Sequence, residues 1–366
     1  MGVNMIRFHG SINPKGDNSQ ITDVDTDEAK AIWKMVATMK EEGIYSTISP
    51  FWAHNGHMGG NVPEEWGIEG YSGNDALWGV MFFNDTLKEA YKKWVEYLYT
   101  ETNPYTGIAL KDDPAVGIIQ VKNEDGLFFW TIQNVKEPLE KIIRQKFYNW
   151  LVEKYGSIQN AQTAWGNVSL EDDNTSAGEM DIYIVWYATQ EQSGSLDKRL
   201  TDQMEFMAEV QHNFYQEIYD FYRSIGSKQL INGNNWKTAS SARLLDVERW
   251  TNTSCDVIAL NRYYDPGHTG SNRGWRIDPG HYYQGKSVLY QPNKLPINVK
   301  QPSGHPAIVT ESGWNLPHTY PAEGPFLISA YMSLTGVDGF YWFNPSDWAY
   351  DSNPYHTWAN LEGGQH

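Results

Sequence analysis

Short apolar runs alternate along this chain with longer amphipathic stretches. The runs are Val3–Phe8, Tyr45–Ser49, Val116–Val121, Gln229–Asn232, Asp256–Leu260, Ala307–Thr310 and Gly339–Trp342. Between them, apolar positions at helical spacing predict helices over about 26–42, 84–99, 139–154, 196–224, 240–252 and 322–334. Strands that alternate with helices at this interval predict βα units and a parallel sheet. Thr26 is the expected N-cap of the first helix, with Asp27 and Glu28 at the positive end of its dipole and Gly43 as its C-cap. Seven strands are found where a closed barrel has eight: either one strand escapes the pattern or the chain is a fragment lacking strand one, and the fragment is favoured. The expected fold class is therefore α/β, a TIM (β/α)8-barrel lacking strand one in a fragment truncated at both ends. Residues 157–194 read as a polar insertion, and residues 265–304 as a long active-site loop, so that 1–366 form one catalytic barrel domain.

Composition narrows the class of partner. A chain of 366 residues suits one barrel with insertions, and 40% hydrophobic residues suffice for its core. The 16 Trp and 23 Tyr are more than a core alone explains, because many stand beside Gly, Asn and Pro. Aromatic faces in such loops can stack on the apolar faces of sugar rings. A formal net charge of −17 argues against nucleic acid and against an anionic membrane surface. Cys255 is the single cysteine, which excludes an intrachain disulfide and a cysteine-based metal site. No apolar run approaches the ~20 residues of a membrane span. The N-terminus carries no signal segment, as expected of a fragment, and the full-length protein is expected to be secreted or periplasmic.

Two glutamates stand just after strand-like runs. Glu124 stands in Val121-Lys122-Asn123-Glu124-Asp125-Gly126, and Glu311 in Ile308-Val309-Thr310-Glu311-Ser312-Gly313-Trp314. Barrel enzymes place their chemistry at the C-terminal ends of strands. A pair of carboxylic acids there suits glycosidic bond cleavage, in which the leaving oxygen needs a proton and the anomeric carbon a nucleophile or an activated water. Either glutamate alone could simply face solvent or cap the next helix. Together, and with Asn123 before the first, they point to catalysis.

The ordered set resembles the clan A glycoside hydrolases, of which glycoside hydrolase family 5 is a member, and the resemblance runs from Arg7 to Trp342. It implies a retaining mechanism with Glu124 as general acid/base and Glu311 as nucleophile, and a carbohydrate substrate with no cofactor and no metal. Arg7, in Ile6-Arg7-Phe8-His9, matches the arginine that hydrogen-bonds the nucleophile. Asn123 matches the asparagine that contacts the sugar 2-hydroxyl. Tyr263, in Asn261-Arg262-Tyr263-Tyr264, matches the tyrosine that orients the nucleophile, and Trp342 the aromatic platform under the −1 sugar. Asn261 stands where family 5 usually has histidine, and His54 is the candidate for the histidine expected after the third strand. The stretches Glu153–Ser157 and Ala164–Gly166 are similar to β-galactosidases of family 42.

Other motifs carry less. Asp23-Val24-Asp25-Thr26-Asp27 begins like a calcium loop but lacks the glycine and the closing glutamate, so helix capping explains it better. His54-Asn55-Gly56-His57 has no evident third metal ligand and reads as a substrate-binding or surface loop. Phosphate-binding glycine loops and the Gly-x-Ser-x-Gly elbow are absent. Trp52, Trp314 and Trp342 stand at strand ends, where either sugar stacking or core packing is open to them, and His9 and Asn13 could reach substrate. The competing functions are a non-catalytic carbohydrate-binding barrel, which would not need both carboxylates, and a barrel lyase or metal-dependent hydrolase, which would need a His/Asp cluster at strand ends.

Overall fold

Every apolar run forms a strand and every amphipathic stretch contains a helix in the computed structural model, which describes residues 2–15, 18–54, 62–265, 267–271, 280–315 and 318–343. The chain divides into two compact units, residues 1–256 and 257–366.

The first unit holds β1 (Met5–His9), α1 (Thr26–Glu41), β2 (Tyr45–Ser49), α2 (Asp85–Thr100), β3 (Val116–Gln120), α3 (Glu137–Tyr155), α4 (Ile158–Ala164), α5 (Val185–Ala188), α6 (Gly194–Ser224), β4 (Leu230–Asn232) and α7 (Leu245–Thr251). Its sheet is parallel, in the order β1-β2-β3-β4. The register pairs His9 with Ser49, Ile48 with Ile119 and Gln120 with Asn232, so these strands end together along one edge. An isolated bridge between Trp52 and Asn123 carries the pairing of β2 and β3 beyond their last residues.

Helix α1 buries Ala29, Ile32, Trp33, Val36 and Ala37, the three-and-four spacing of one helical face. Helix α2 does the same with Leu87, Tyr91, Trp94 and Leu98. Trp94, Phe51, Ile119 and Val121 meet in the main core, where none is more than 1% exposed. The Tyr91 hydroxyl ties α2 to the sheet by donating to the Val121 carbonyl at 2.7 Å.

Several boundaries differ from expectation. Asp25, not Thr26, caps α1: its carboxylate accepts from the backbone N–H of Asp27 at 3.1 Å and of Glu28 at 3.0 Å, while Thr26 already lies in the helix. An ionised acceptor suits those orphan donors better than a hydroxyl. Asp25→Ala should lower stability by about 1 kcal/mol, read by urea unfolding, and an unchanged midpoint would refute the cap's contribution. Helix α3 begins at Glu137 because Pro138 is tolerated in the first turn. Helix α7 begins only at Leu245, since residues 241–244 form a turn closed by Leu244 N–H donating to the Ser240 carbonyl at 2.9 Å.

Residues 157–194 are held to α6 by Arg199, which is fully buried. Its guanidinium donates twice to the Asp173 carboxylate, both at 2.6 Å, and again to the Val168 and Asp181 carbonyls. The segment is polar in composition because these buried charges organise it.

The second unit holds β5 (Ile258–Asn261), β6 (His268–Thr269), β7 (Tyr282–Tyr283), β8 (Ala307–Ser312), α8 (Glu323–Thr335) and β9 (Gly339–Trp342). Its main sheet is parallel, in the order β5-β8-β9, and β6 and β7 form a short antiparallel pair. Strand β5 starts two residues later than the apolar run. Asp256 lies before it, with its carboxylate accepting from Arg223 at 2.6 Å and from the Ile231 N–H at 2.9 Å. Val309, Tyr264, Trp314, Leu327 and Ile328 form this unit's core.

Candidate active site

In the first unit the candidate residues gather where the strands end. Arg7 on β1 donates from Nε to Gln120 Oε1 at 2.7 Å and from Nη2 to Asn123 Oδ1 at 2.6 Å. The Asn123 N–H donates to the Phe51 carbonyl at 2.9 Å, so β2 positions the turn that follows β3. Asn123 Oδ1 also accepts from Asn235 Nδ2 at 3.0 Å, which leaves the Asn123 amide NH2 as the group available to a hydroxyl. Glu124 follows with φ 35°, in the left-handed region that side chains other than glycine avoid. Its N–H donates to Asn235 Oδ1 at 2.9 Å.

The residues flanking this pair are an ion pair with no exposure. Lys122 Nζ donates to Asp125 Oδ2 at 3.0 Å and lies 3.3 Å from the centre of the Phe82 ring. Burial pulls the Lys122 ammonium down to about 8, against the opposing pull of Asp125. Asp125 Oδ1 accepts from the Gly79 N–H at 2.9 Å. Buried charge on both sides thus clamps the Asn123–Glu124 dipeptide.

Aromatic rings line the same edge. His9 meets Trp52 edge-on at 5.3 Å and contacts Ser49 Oγ through Nδ1 at 3.0 Å. His54 stacks on Trp52 at 4.9 Å, and partial desolvation of the ring lowers its pKa. Trp52 meets Trp78 at 6.2 Å, Trp78 stacks on Trp236 at 5.4 Å, and Phe129 lies 4.1 Å from Trp236. Asn13 is fully buried and donates to the Pro14 carbonyl. His57 lies outside the described residues.

Asn235, Trp78 and Trp236 were not singled out in the sequence. Asn234-Asn235-Trp236 follows β4 as Asn123-Glu124 follows β3, and that parallel was a readable signal. Trp78 stands in a stretch without periodicity and offered none.

In the second unit Glu311 lies on β8 in register with Asn261 on β5. The Tyr263 hydroxyl donates to Glu311 Oε2 at 2.8 Å, and the carboxylate residue is only 7% exposed. Thr310 Oγ1 donates to Asn261 Oδ1 at 2.8 Å, tying the two strands beside the carboxylate. Trp342 is half-buried at the end of β9, edge-on to Phe340 at 4.9 Å. Trp314 is 1% exposed and packs with Tyr264 and Trp342 in the core, at 5.4 and 6.1 Å. Of the three strand-end tryptophans it is the one that fills the core, where an open face for sugar stacking was the other possibility. Among the described residues no group of three or more His, Cys, Asp or Glu could hold a metal ion, and no helix is long and apolar enough to cross a membrane.

Solved structures similar to this chain are clan A-like (β/α)-barrel glycoside hydrolases, and the chain shares their fold. A β-galactosidase from Rahnella sp. R3 is 14% identical with a TM-score of 0.56, over 99% of this chain and 48% of that one. An endo-β-1,4-mannanase from Thermotoga petrophila is 14% identical with a TM-score of 0.52, over 96% and 63%. An exo-β-agarase is 12% identical with a TM-score of 0.50, over 87% and 40%. The chain therefore spans less than two thirds of the length of each. No family profile and no curated protein matches it.

Proposed function

We propose that the chain is a retaining glycoside hydrolase that cleaves β-glycosidic bonds of a poly- or oligosaccharide by double displacement. Glu311 is the nucleophile and Glu124 the general acid/base. The reading rests chiefly on the Tyr263–Glu311 hydrogen bond at the end of a parallel strand. One carboxylate oxygen accepts from the phenol, which orients the group at the end of β8.

In the first step Glu311 attacks the anomeric carbon as Glu124 gives its proton to the leaving glycosidic oxygen, forming a glycosyl ester on Glu311. In the second, the Glu124 carboxylate takes a proton from water, the water oxygen bonds to the anomeric carbon, and the ester bond breaks. The Asn123 amide NH2 suits a sugar 2-hydroxyl, because Arg7 and Asn235 already occupy its carbonyl oxygen. The half-buried Trp342 suits the ring face in the −1 subsite, and Trp52, His9 and His54 the neighbouring sugar. Asn261 acts on Glu311 through the strand pairing.

The test is incubation of the intact chain with aryl β-glycosides and with soluble glucans, mannans and agars. The anomeric configuration of the first product is followed by NMR. Cleavage with retained configuration is expected. An inverted first product would overturn the double displacement, and no cleavage across the panel would overturn the hydrolase reading.

A further inference from the structure

Glu124 is one of two non-glycine residues with positive φ among the described residues, the other being Asn167. Such a backbone costs on the order of 1–2 kcal/mol and persists only where its surroundings over-determine it. At Glu124 one side chain makes two of the contacts that hold the turn. Asn235 accepts from the Glu124 N–H at 2.9 Å through Oδ1 and donates through Nδ2 to Asn123 Oδ1 at 3.0 Å. A single amide therefore fixes the backbone of the candidate acid and the side chain of the candidate 2-hydroxyl ligand in one rigid unit.

Asn235 is itself immobilised. It is fully buried just past β4, and its N–H donates to Asn234 Oδ1 at 2.8 Å. The Asn234 N–H donates to Asn252 Oδ1 at 2.9 Å, and its Nδ2 donates to Glu248 Oε1 at 3.1 Å. Asn252 Nδ2 reaches the same Glu248 oxygen at 3.1 Å, while Gln211 Nε2 donates to Oε2 at 2.9 Å. Glu248 on α7 and Gln211 on α6 are buried, and Gln211 Oε1 accepts from the Leu127 N–H at 2.8 Å. The network thus grips the turn at both ends, at Glu124 and again three residues later. Buried polar networks that are fully satisfied are rigid, because each unmade bond would leave a desolvated group unpaired.

We propose that Asn235 is a positioning residue for acid catalysis: it holds Glu124 in its left-handed backbone conformation and so sets where the proton is delivered, while leaving the nucleophilic step to Glu311. The proposal rests on Glu124 being the acid/base. It predicts a loss that depends on the leaving group. A glycoside whose aglycone departs without protonation, such as a 2,4-dinitrophenyl glycoside, needs no acid in the first step, whereas an alkyl or sugar aglycone does.

The experiment compares the intact chain with Asn235→Ala, Asn235→Ser and Glu124→Ala on a 2,4-dinitrophenyl glycoside and on the matching unactivated glycoside. The hydroxyl in Asn235→Ser is polar but too short to reach both partners, which provides a variant less prone to misfold than alanine. For both Asn235 variants kcat/KM on the unactivated substrate should fall by about 10–100-fold, part of the ~10²–10⁴-fold that general acid catalysis supplies. On the dinitrophenyl substrate kcat/KM should stay within about threefold, because that first step needs no acid and Arg7 still holds Asn123 at 2.6 Å. The same split, larger, is expected for Glu124→Ala. A split in Glu124→Ala with equal losses on both substrates in the Asn235 variants would reduce Asn235 to a structural role and overturn the proposal. If Glu124→Ala itself shows no split, the acid/base assignment falls and the proposal falls with it.

Discussion

Glu311→Ala is expected to lower kcat by on the order of 10⁴-fold or more on every substrate the intact chain cleaves, because in the proposed mechanism the step that forms the covalent bond loses its nucleophile. The fold should survive. Glu311 lies on a strand whose backbone pairing to β5 does not involve its side chain, and the Tyr263 hydroxyl loses an acceptor that solvent can replace. Added azide should enter the vacated space and attack the anomeric carbon directly. One displacement replaces two, so the product is a glycosyl azide of inverted configuration, and NMR of that product identifies the residue as nucleophile rather than as a general electrostatic contributor. Residual activity within about tenfold of the intact chain, with no azide product, would remove Glu311 from the chemistry.

The largest expected effect on stability comes from the Lys122–Asp125 pair. Neither side chain has any exposure, so Lys122→Met leaves the Asp125 carboxylate buried without its cation. Breaking a buried pair in this way costs about 3–5 kcal/mol. For a unit of this size that lowers Tm by roughly 10 °C, measurable by calorimetry. The double variant Lys122→Met/Asp125→Asn should recover more than half of the loss, since the amide oxygen can still accept from the Gly79 N–H and no charge remains buried. A single variant as stable as the double one would contradict the account.

The pair also carries a pH signature. Burial holds folded Lys122 at about 8, below its ordinary 10.5, so between those values the unfolded chain binds more protons than the folded one. This group's contribution to stability therefore rises with pH from about 8 to 10.5, and that increment should vanish in Lys122→Met.

The fold class was legible because its signal is local. Helices α1 and α2 bury residues at three-and-four spacing, and β3 and β8 each contain a short apolar run, so period and run length identify them without any knowledge of neighbours. The candidate carboxylates were legible for a related reason. A glutamate within three residues of the end of an apolar run, as at Glu124 and Glu311, is conspicuous against the composition of the run.

What sequence could not decide depends on side chains distant along the chain. Thr26 and Asp25 are both good caps, and the choice between them follows from Asp25 accepting from Asp27 and Glu28 while its own N–H reaches the Ile12 carbonyl. Trp314 and Trp342 both end strands, yet only the packing of Tyr264 against Trp314 buries one ring where the other keeps a face. Asn235 lies 111 residues from the backbone it holds at Glu124. Trp78 and Trp236 stack across a still longer separation. Local periodicity thus determined which segments are strands and helices and which carboxylates stand at their ends. Only the tertiary structure decided which amide bonds the Glu124 backbone and which rings share its edge, because hydrogen bonds and stacking are settled by proximity in space, and periodicity in the chain does not encode that.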